Sequence, residues 1–342
     1  MLLDGVGRRN VNSNSSNNCC NLVRKATEML NRREVLTGLG ACAASIPAVS
    51  WGANQAAATV PSKEPFGYCL NTSTIRGQEL GIVREVEIAA QAGYRGIEPW
   101  MGTLEKYVQG GGSLKDLGKK IADLGLSVES AIGFANWIVD DDATRQKGLE
   151  HAKRDMDVLV QIGGKRIAAP PAGATTAALT DLTSIAERYH ALCEVGRQTG
   201  IIPQLEVWGF SKTLSKLAET MYAAVASGHR QACVLPDIYH LHKGGSAFDS
   251  LQLLGGQGVH VFHVNDYPAT PDRAIITDAD RVYLGDGIAP AKMILQTLYR
   301  NGFRGMLSLE LFNREYWKQD PLVVARTGLE KMRETVLKSW EG

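Results

Sequence analysis

The sequence contains few of the residues that mark several classes of protein. Its six cysteines form no CxxC pair, and only Cys69, Cys193 and Cys233 lie beyond residue 60, so nothing indicates a disulfide framework or a cysteine metal site. We expect these three thiols to be small buried side chains. The formal net charge is only +1, which gives no electrostatic reason to expect a nucleic acid partner. Beyond residue 60 no apolar run approaches the length of a transmembrane helix.

The first part of the chain predicts an export signal. Residues 1–30 are polar and rich in Asn and Ser, and the pair Arg32 and Arg33 is followed at once by an apolar run over 35–49. This order resembles a twin-arginine signal, which predicts an exported, periplasmic protein with a leader and linker over 1–60. A frayed amphipathic helix is the alternative. A lipoprotein cleavage box at 39–42 is less favoured, because the apolar segment before its cysteine would be only eight residues long.

From about Phe66 the chain alternates between strand and helix patterns without a break in composition. Short runs of β-prone residues follow amphipathic stretches that end in glycine, as in the helix predicted before Gly93. We count eight strands and eight helices. The sequence therefore predicts a single α/β domain over 61–342, a closed (β/α)8 TIM barrel, with no second domain.

Four predicted strands in the second half of the chain each end on a residue that can bind a metal. These residues are Glu206, Asp237, His263 and Glu310, separated by 31, 26 and 47 residues, about what one βα unit needs. In a TIM barrel the carboxyl ends of neighbouring strands meet at one rim, so we expect the four side chains to lie together. Three carboxylates and one imidazole suit a single divalent cation such as Mn²⁺, Mg²⁺, Co²⁺ or Zn²⁺.

Further candidates surround the predicted metal ligands. His240 lies three residues after Asp237 and can reach over the rim toward a substrate oxygen or the metal. Glu98 ends the second strand, and we expect substrate hydroxyls to be its partners. Trp208 follows Glu206 and could form a wall of a sugar-sized pocket, although aromatic side chains at a rim are as often plain packing. Arg273, in the long loop after strand seven, could close over the site.

These residues carry a resemblance to a known family. The segments LE (205–206), PDxxH (236–240), HVND (263–266), LGDG (284–287) and LELF (309–312) resemble the xylose-isomerase-like TIM-barrel superfamily. The most similar part is the sugar phosphate isomerase/epimerase group, with hydroxypyruvate isomerase, ketose 3-epimerases and inosose dehydratase. The resemblance covers about residues 66–339. It implies that the metal is held by the four residues named above, that Glu206 and Glu310 also form an acid/base pair, and that His240 contacts the substrate.

The function that follows is a divalent-metal-dependent sugar isomerase or epimerase. A metal that chelates a carbonyl and its neighbouring hydroxyl acidifies the carbon-bound proton, and carboxylates can remove and return that proton through an enediolate. A lyase or dehydratase acting on a keto-sugar, inosose or keto-glycoside begins with the same proton abstraction and stays open. A non-catalytic exported sugar-binding protein is less favoured, because both glutamates are present. The sequence leaves the oligomeric state open, a homo-oligomer included.

An endonuclease IV-like nuclease belongs to the same superfamily and is disfavoured. Its trinuclear zinc cluster needs a histidine two residues after the aspartate that matches Asp280, where this chain has Val282. Seven histidines in the whole chain cannot supply three zinc ions. We therefore expect a small sugar or keto-sugar as the partner. Export further favours an unphosphorylated substrate, because phosphorylated sugars are mostly cytosolic.

Overall fold

Eight parallel strands form the centre of the molecule in the structure, a computed structural model that describes residues 64–179 and 181–341. Each strand is short and buried along most of its length. The strands are β1 (Gly67–Asn71), β2 (Gly96–Glu98), β3 (Ser127–Val128), β4 (Arg166–Ala169), β5 (Ile202–Glu206), β6 (Val234–Leu235), β7 (Val261–Val264) and β8 (Met306–Leu309). The eight predicted strands are confirmed. The leader predicted around Arg32 and Arg33 lies outside the described residues.

Helices connect the strands and cover the outside of the barrel. The described α-helices are α1 (Ile82–Ala92), α2 (Met101–Gln109), α3 (Leu114–Asp123), α4 (Asp142–Gln161), α5 (Leu182–Thr199), α6 (Leu217–Ala226), α7 (Ile238–Gly244), α8 (Ala291–Arg300) and α9 (Pro321–Lys338). Short 3₁₀ turns occupy Thr72–Gln78, Phe248–Leu253, Asp278–Asp280 and Tyr316–Lys318. None of the helices in this part of the chain is long and apolar enough to cross a membrane.

The helices differ from the prediction after two strands. We expected one helix after each strand, but β2 is followed by both α2 and α3, and the helix after β6 is α7, which begins almost directly after the strand. The start of α7 depends on Asp237, whose Oδ1 accepts a hydrogen bond from the backbone N–H of His240 at 2.8 Å. A side chain that caps a helix in this way satisfies an otherwise free donor of the first turn. The segment 248–253, predicted as a short helix, is the 3₁₀ turn.

The ladder of strands divides into two sheets. One sheet has the order β3-β2-β1-β8-β7, and the other has the order β4-β5-β6. The sheets meet at two seams. At one seam the Ala168 N–H donates to the Ala131 carbonyl at 2.8 Å, and at the other the His263 N–H donates to the Pro236 carbonyl at 3.0 Å. An isolated parallel bridge between Asp237 and His263 also spans the second seam.

The strand ends place polar side chains above an apolar base. Ile132, Ala168, Leu235 and Val261 form a buried cluster contributed by four different parts of the barrel wall. Side chains two residues apart in a strand point to the same face, so Val261 and His263 of β7 both point into the barrel. Phe262 points outward and packs in the core between the strands and the helices. The barrel interior is therefore apolar below and polar at the carboxyl rim. Cys69, Cys193 and Cys233 are free and buried, as expected.

Candidate metal centre

The structure brings the four predicted ligand residues together at the carboxyl ends of β5 to β8. Glu206, Asp237, His263 and Glu310 have exposed fractions of 2%, 0%, 0% and 3%. The Nδ1 atom of His263 lies 3.9 Å from Glu206 Oε1, 3.8 Å from Asp237 Oδ2 and 3.4 Å from Glu310 Oε2. Three carboxylates thus surround one ring nitrogen.

A second group of polar side chains holds these ligands in place. Asp237 Oδ2 accepts hydrogen bonds from Asn265 Nδ2 at 2.9 Å and from Arg281 Nη1 at 3.0 Å. The opposite ring nitrogen of His263, Nε2, lies 2.9 Å from Glu98 Oε2. We expected Glu98 to meet substrate hydroxyls, but the structure buries it completely and points its carboxylate at His263. Its position at the end of β2, across the barrel from β7, explains this contact.

The role of Arg281 was not predicted. This side chain is fully buried and donates from Nη1 to Asp237 Oδ2 at 3.0 Å and to Glu310 Oε2 at 2.8 Å. Its guanidinium carbon also lies 4.4 Å from the ring centre of Tyr239. Burial opposes the charge, but Asp237, Asp278 and Glu310 raise the pKa of Arg281 above its ordinary value, so this residue stays charged.

Arg273, the arginine predicted to close over the site, is exposed. Its backbone carbonyl accepts a hydrogen bond from Lys243 Nζ at 3.1 Å, and its guanidinium lies beside Gly245 at the end of α7. The arginine of the long loop after β7 that enters the site is Arg281 and not Arg273, because Arg281 makes the contacts with Asp237 and Glu310. A run of acidic residues around Arg281, in the sequence DADR, was the only available signal.

The buried charges shift the pKa values of the ligands in different directions. Burial, together with the nearby carboxylates of Glu310 and Asp237, raises the pKa of Glu206 to about 8, although His263 opposes this shift. Burial also acts to raise the pKa of Glu310, but His263 and Arg281 outweigh it and hold that pKa well below its ordinary value. Burial lowers the pKa of His263, yet Glu98 and Glu310 raise it well above its usual range. Without a cation, protons and Arg281 balance the carboxylates.

His240 lies beside this centre in its neutral form. Burial and the positive charge of Arg281 lower the pKa of His240 to about 3. Its Nε2 lies 3.1 Å from Arg281 Nη2, so this nitrogen accepts the hydrogen bond and the Nδ1 atom carries the ring proton. Nδ1 is buried and has no hydrogen-bond partner in the described structure. The Nδ1–H group of His240 is thus a free hydrogen-bond donor at the rim.

Aromatic side chains form an arc around the centre. Trp208 is half-buried and lies beside Glu206. Its ring centre is 6.0 Å from that of Phe134 and 5.1 Å from that of Phe210, while Trp100 lies 5.2 Å from Phe134. Phe134 and Phe210 keep 40% and 45% of their surface exposed. We define the aromatic arc as Phe312, Trp100, Phe134, Trp208 and Phe210.

The donor set fits a divalent cation. Asp237, His263 and Glu310 each offer a ligand atom, and these atoms lie within 4.8 Å of one another. Glu206 Oε2 and His263 Nδ1 are buried and lack hydrogen-bond partners among the described residues. A buried polar atom without a partner is costly, and a cation bound by nitrogen and oxygen ligands would satisfy both atoms. The same group of residues therefore supports the predicted metal site.

Comparison with known proteins then identifies the family. Residues 86–335 match the family model described as xylose isomerase-like TIM barrel. The chain belongs to this family. It is 26% identical over 283 residues to the inosose isomerase of Bacillus velezensis, an alignment that covers 79% of this chain and 97% of that protein. The predicted resemblance and the predicted barrel are both confirmed.

Solved structures of other proteins share this fold. The IOLI protein, crystallised with a zinc atom, has a TM-score of 0.75 and 22% identity, with 81% of this chain and 100% of that chain covered. The structure of L-ribulose 3-epimerase has a TM-score of 0.65 and 18% identity, with 80% and 95% covered. These likenesses show the fold.

Proposed function

We propose that this protein is a divalent-metal-dependent isomerase or epimerase of a sugar, polyol or keto-sugar. The observation that carries the proposal is the placement of two buried glutamates, Glu206 and Glu310, within 4 Å of the same ring nitrogen of His263. The inosose isomerase and L-ribulose 3-epimerase named above support the same class of reaction. A reaction of this class moves a proton on a carbon atom next to a carbonyl.

Glu206, Asp237, His263 and Glu310 would hold the cation. When bound, the cation supplies Lewis acid chemistry, which polarises a carbonyl and its neighbouring hydroxyl. The zinc atom in the structure of the IOLI protein supports a divalent cation. Arg281 holds Asp237 and Glu310 from the side of the loop after β7, so that both carboxylates keep one orientation.

Glu206 and Glu310 would move the proton. They belong to β5 and to the end of β8, which lie in different sheets of the barrel, so they approach a central substrate from two directions. One carboxylate can then remove a proton from one face of a carbon while the other returns it. Neutral His240 can donate a hydrogen bond from Nδ1 to a substrate oxygen.

The aromatic arc supports an unphosphorylated substrate. Exposed aromatic faces such as Phe134 and Phe210 suit the C–H faces of a sugar or cyclitol. Arg281 is engaged by Asp237, Asp278 and Glu310, so it offers no free fork for a phosphate group. Activity on a phosphorylated sugar with none on neutral ketoses would contradict this part of the proposal.

Hydrogen exchange with solvent tests the proposal directly. The metal-loaded protein is incubated in D₂O with a panel of ketoses, inososes and keto-glycosides, and products are analysed by NMR. We expect deuterium at one carbon, with loss of at least 10²-fold in rate for Glu206→Gln and Glu310→Gln, the usual scale of acid–base catalysis. Glu85→Gln, a buried carboxylate on α1 outside the site, is the matched control and should keep full activity.

The products separate the remaining alternatives. Deuterated isomer supports the proposal, whereas deuterated substrate together with an eliminated hydroxyl or glycosidic group identifies a lyase that uses the same proton abstraction. Binding of a sugar without exchange at any carbon across the panel would overturn the proposal in favour of a sugar-binding protein.

We propose export by the twin-arginine pathway on the basis of Arg32, Arg33 and the apolar run after them. Both arginines lie outside the described residues. Replacement of the pair by two lysines should retain the protein in the cytoplasm, which fractionation of producing cells measures. Export that is insensitive to this change would contradict the proposal.

A further inference from the structure

Glu98 is a completely buried carboxylate with an unusual distribution of hydrogen bonds. A single oxygen, Oε2, accepts from Asn71 Nδ2 at 3.0 Å, from Ser308 Oγ at 2.7 Å and pairs with His263 Nε2 at 2.9 Å. The other oxygen, Oε1, is buried and has no hydrogen-bond partner in the described structure. These three contacts at one oxygen fix the position of the Glu98 carboxylate next to Nε2 of His263.

The orientation of the Asn71 amide is fixed by its own partners. Its Oδ1 accepts from Trp100 Nε1 and from the backbone N–H of Ser73, both at 3.0 Å. Both of these groups are donors only, so Oδ1 must face them and Nδ2 must face the opposite side. There Nδ2 donates to Glu98 Oε2 and to Glu310 Oε1, each at 3.0 Å. One amide therefore holds both carboxylates.

These contacts decide which nitrogen of His263 can bind a cation. Glu98 Oε2 accepts from the amide Nδ2 of Asn71 and is therefore an acceptor, so the nitrogen of His263 that faces it carries a proton. In a neutral imidazole the other nitrogen then has the free lone pair. That nitrogen is Nδ1, which lies among Glu206, Asp237 and Glu310 and has no hydrogen-bond partner of its own.

We propose that Glu98 and Asn71 are positioning residues that determine the cation affinity of the site. Glu98 fixes the ring orientation and tautomer of His263. Asn71 fixes the positions of the Glu98 and Glu310 carboxylates relative to each other. Both act through a ligand of the cation, Glu98 through His263 and Asn71 through Glu310. This inference rests on the proposed metal site and goes beyond it by assigning a role that the four ligands alone do not define. A carboxylate or carbonyl behind a metal-binding histidine commonly changes affinity by about 10- to 100-fold.

Zinc affinity of four variants tests the proposal. Glu98→Leu removes the acceptor behind His263, and we expect its zinc affinity to fall about 100-fold. Glu98→Gln keeps a neutral oxygen at the Oε2 position, so it should recover part of that affinity and lie about tenfold below the wild type. Asn71→Ala should also weaken binding by about tenfold. Glu85→Gln is the matched buried control and should bind as the wild type does.

Affinities are measured by competition with a chromophoric chelator on protein freed of metal, and circular dichroism establishes that each variant is folded. Nitrogen-15 spectra of the zinc-loaded wild type should show a proton on Nε2 of His263, assigned by its absence in His263→Gln. If Glu98 only filled space, the same signal would remain unchanged in zinc-loaded Glu98→Leu.

The outcomes distinguish the two proposals. Folded Glu98→Leu and Glu98→Gln proteins with wild-type zinc affinity would overturn the role of Glu98 while the metal site stands. Equal losses for the two variants would also count against it, because the neutral oxygen would then have no effect. A wild type that binds no divalent cation would overturn the metal site itself.

Discussion

At the scale of single residues, the least expected feature of the site is the buried positive charge of Arg281. It is buried between Asp237 and Glu310 and forms ion pairs with both, at 3.0 and 2.8 Å. A buried ion pair is not in itself a strong source of stability, but the loss of one partner leaves the other charge without compensation. Arg281 and a bound cation are therefore alternative sources of positive charge for the same carboxylates.

This shared role gives a prediction for Arg281→Met. The metal-free variant should lose about 3–5 kcal/mol of stability, the usual cost of an uncompensated buried charge. A saturating divalent cation should restore part of this loss, so that the stabilisation by metal is larger in the variant than in the wild type. Urea unfolding with and without metal measures both quantities. Arg304→Met, at an exposed arginine, is the control, and an equal loss in both states would contradict the prediction.

A second prediction concerns Glu85, a buried carboxylate away from the metal centre. Burial raises the pKa of Glu85 from 4.5 to about 7. Between these values the folded protein holds a proton that the unfolded chain has lost, so stability falls as the pH rises through this window. Glu85→Gln removes the dependence. It should gain on the order of 1–3 kcal/mol relative to the wild type between pH 5 and pH 8, as measured by urea unfolding.

The exposed Glu330 of α9 provides the control for that measurement. Glu330→Gln should leave the difference between pH 5 and pH 8 unchanged. A wild type and a Glu85→Gln protein with parallel pH profiles would show that Glu85 is ionised in the folded state throughout.

At the scale of elements, helix α9 packs closely on the strand that leads to Glu310. A Cβ atom at Gly328 would lie 2.2 Å from Leu309 Cδ2. Leu309 ends β8 directly before Glu310, so the absence of a side chain at Gly328 lets the helix and the strand approach. The position of Glu310, a predicted metal ligand, therefore depends on a glycine in a different element.

We predict opposite effects for two glycine-to-alanine changes in helices. Gly328→Ala should destabilise by about 1–3 kcal/mol through overpacking, and should weaken cation binding because Leu309 and Glu310 move together. Gly102→Ala in α2 meets nothing within 4 Å and should stabilise by up to about 1 kcal/mol through helix propensity. Thermal unfolding and zinc titration measure both variants. A Gly328→Ala protein as stable as the wild type would show that β8 can adjust.

The elements and the grouping of the four candidate ligands could be predicted, and the residues behind them could not. Strand patterns that end on Glu206 or Asp237 are local signals. The run of β-prone residues and the polar residue that ends it lie within a few positions of each other in the sequence. The contact of His263 with Glu98 joins residues 165 positions apart, and that of Asn71 with Glu310 spans 239 positions. Nothing local shows which neighbour a rim side chain meets, so Glu98 was expected to face the substrate.

At the scale of the whole molecule, the ligands come from four consecutive strands. A cation that binds only the folded barrel stabilises it by mass action, by about 2.7 kcal/mol at a hundredfold excess over Kd. We predict that treatment with a chelator lowers the unfolding midpoint, and that one equivalent of divalent cation per chain restores it. Calorimetry measures the shift and titration gives the stoichiometry. His263→Gln should be insensitive to both treatments, and a wild type with the same insensitivity would contradict the prediction.

The seam between β6 and β7 runs through the middle of the candidate centre. Glu206 and Asp237 belong to the three-stranded side of the barrel, and His263 and Glu310 to the five-stranded side. A single ion held by all four would therefore act as a cross-link between the two sheets, in addition to the backbone hydrogen bond between His263 and Pro236. Its removal would free the edges of both sheets, and the amide proton of His263, donated across the seam to Pro236, would exchange faster with solvent. The ion needed for the chemistry would then also serve as the closure of the barrel.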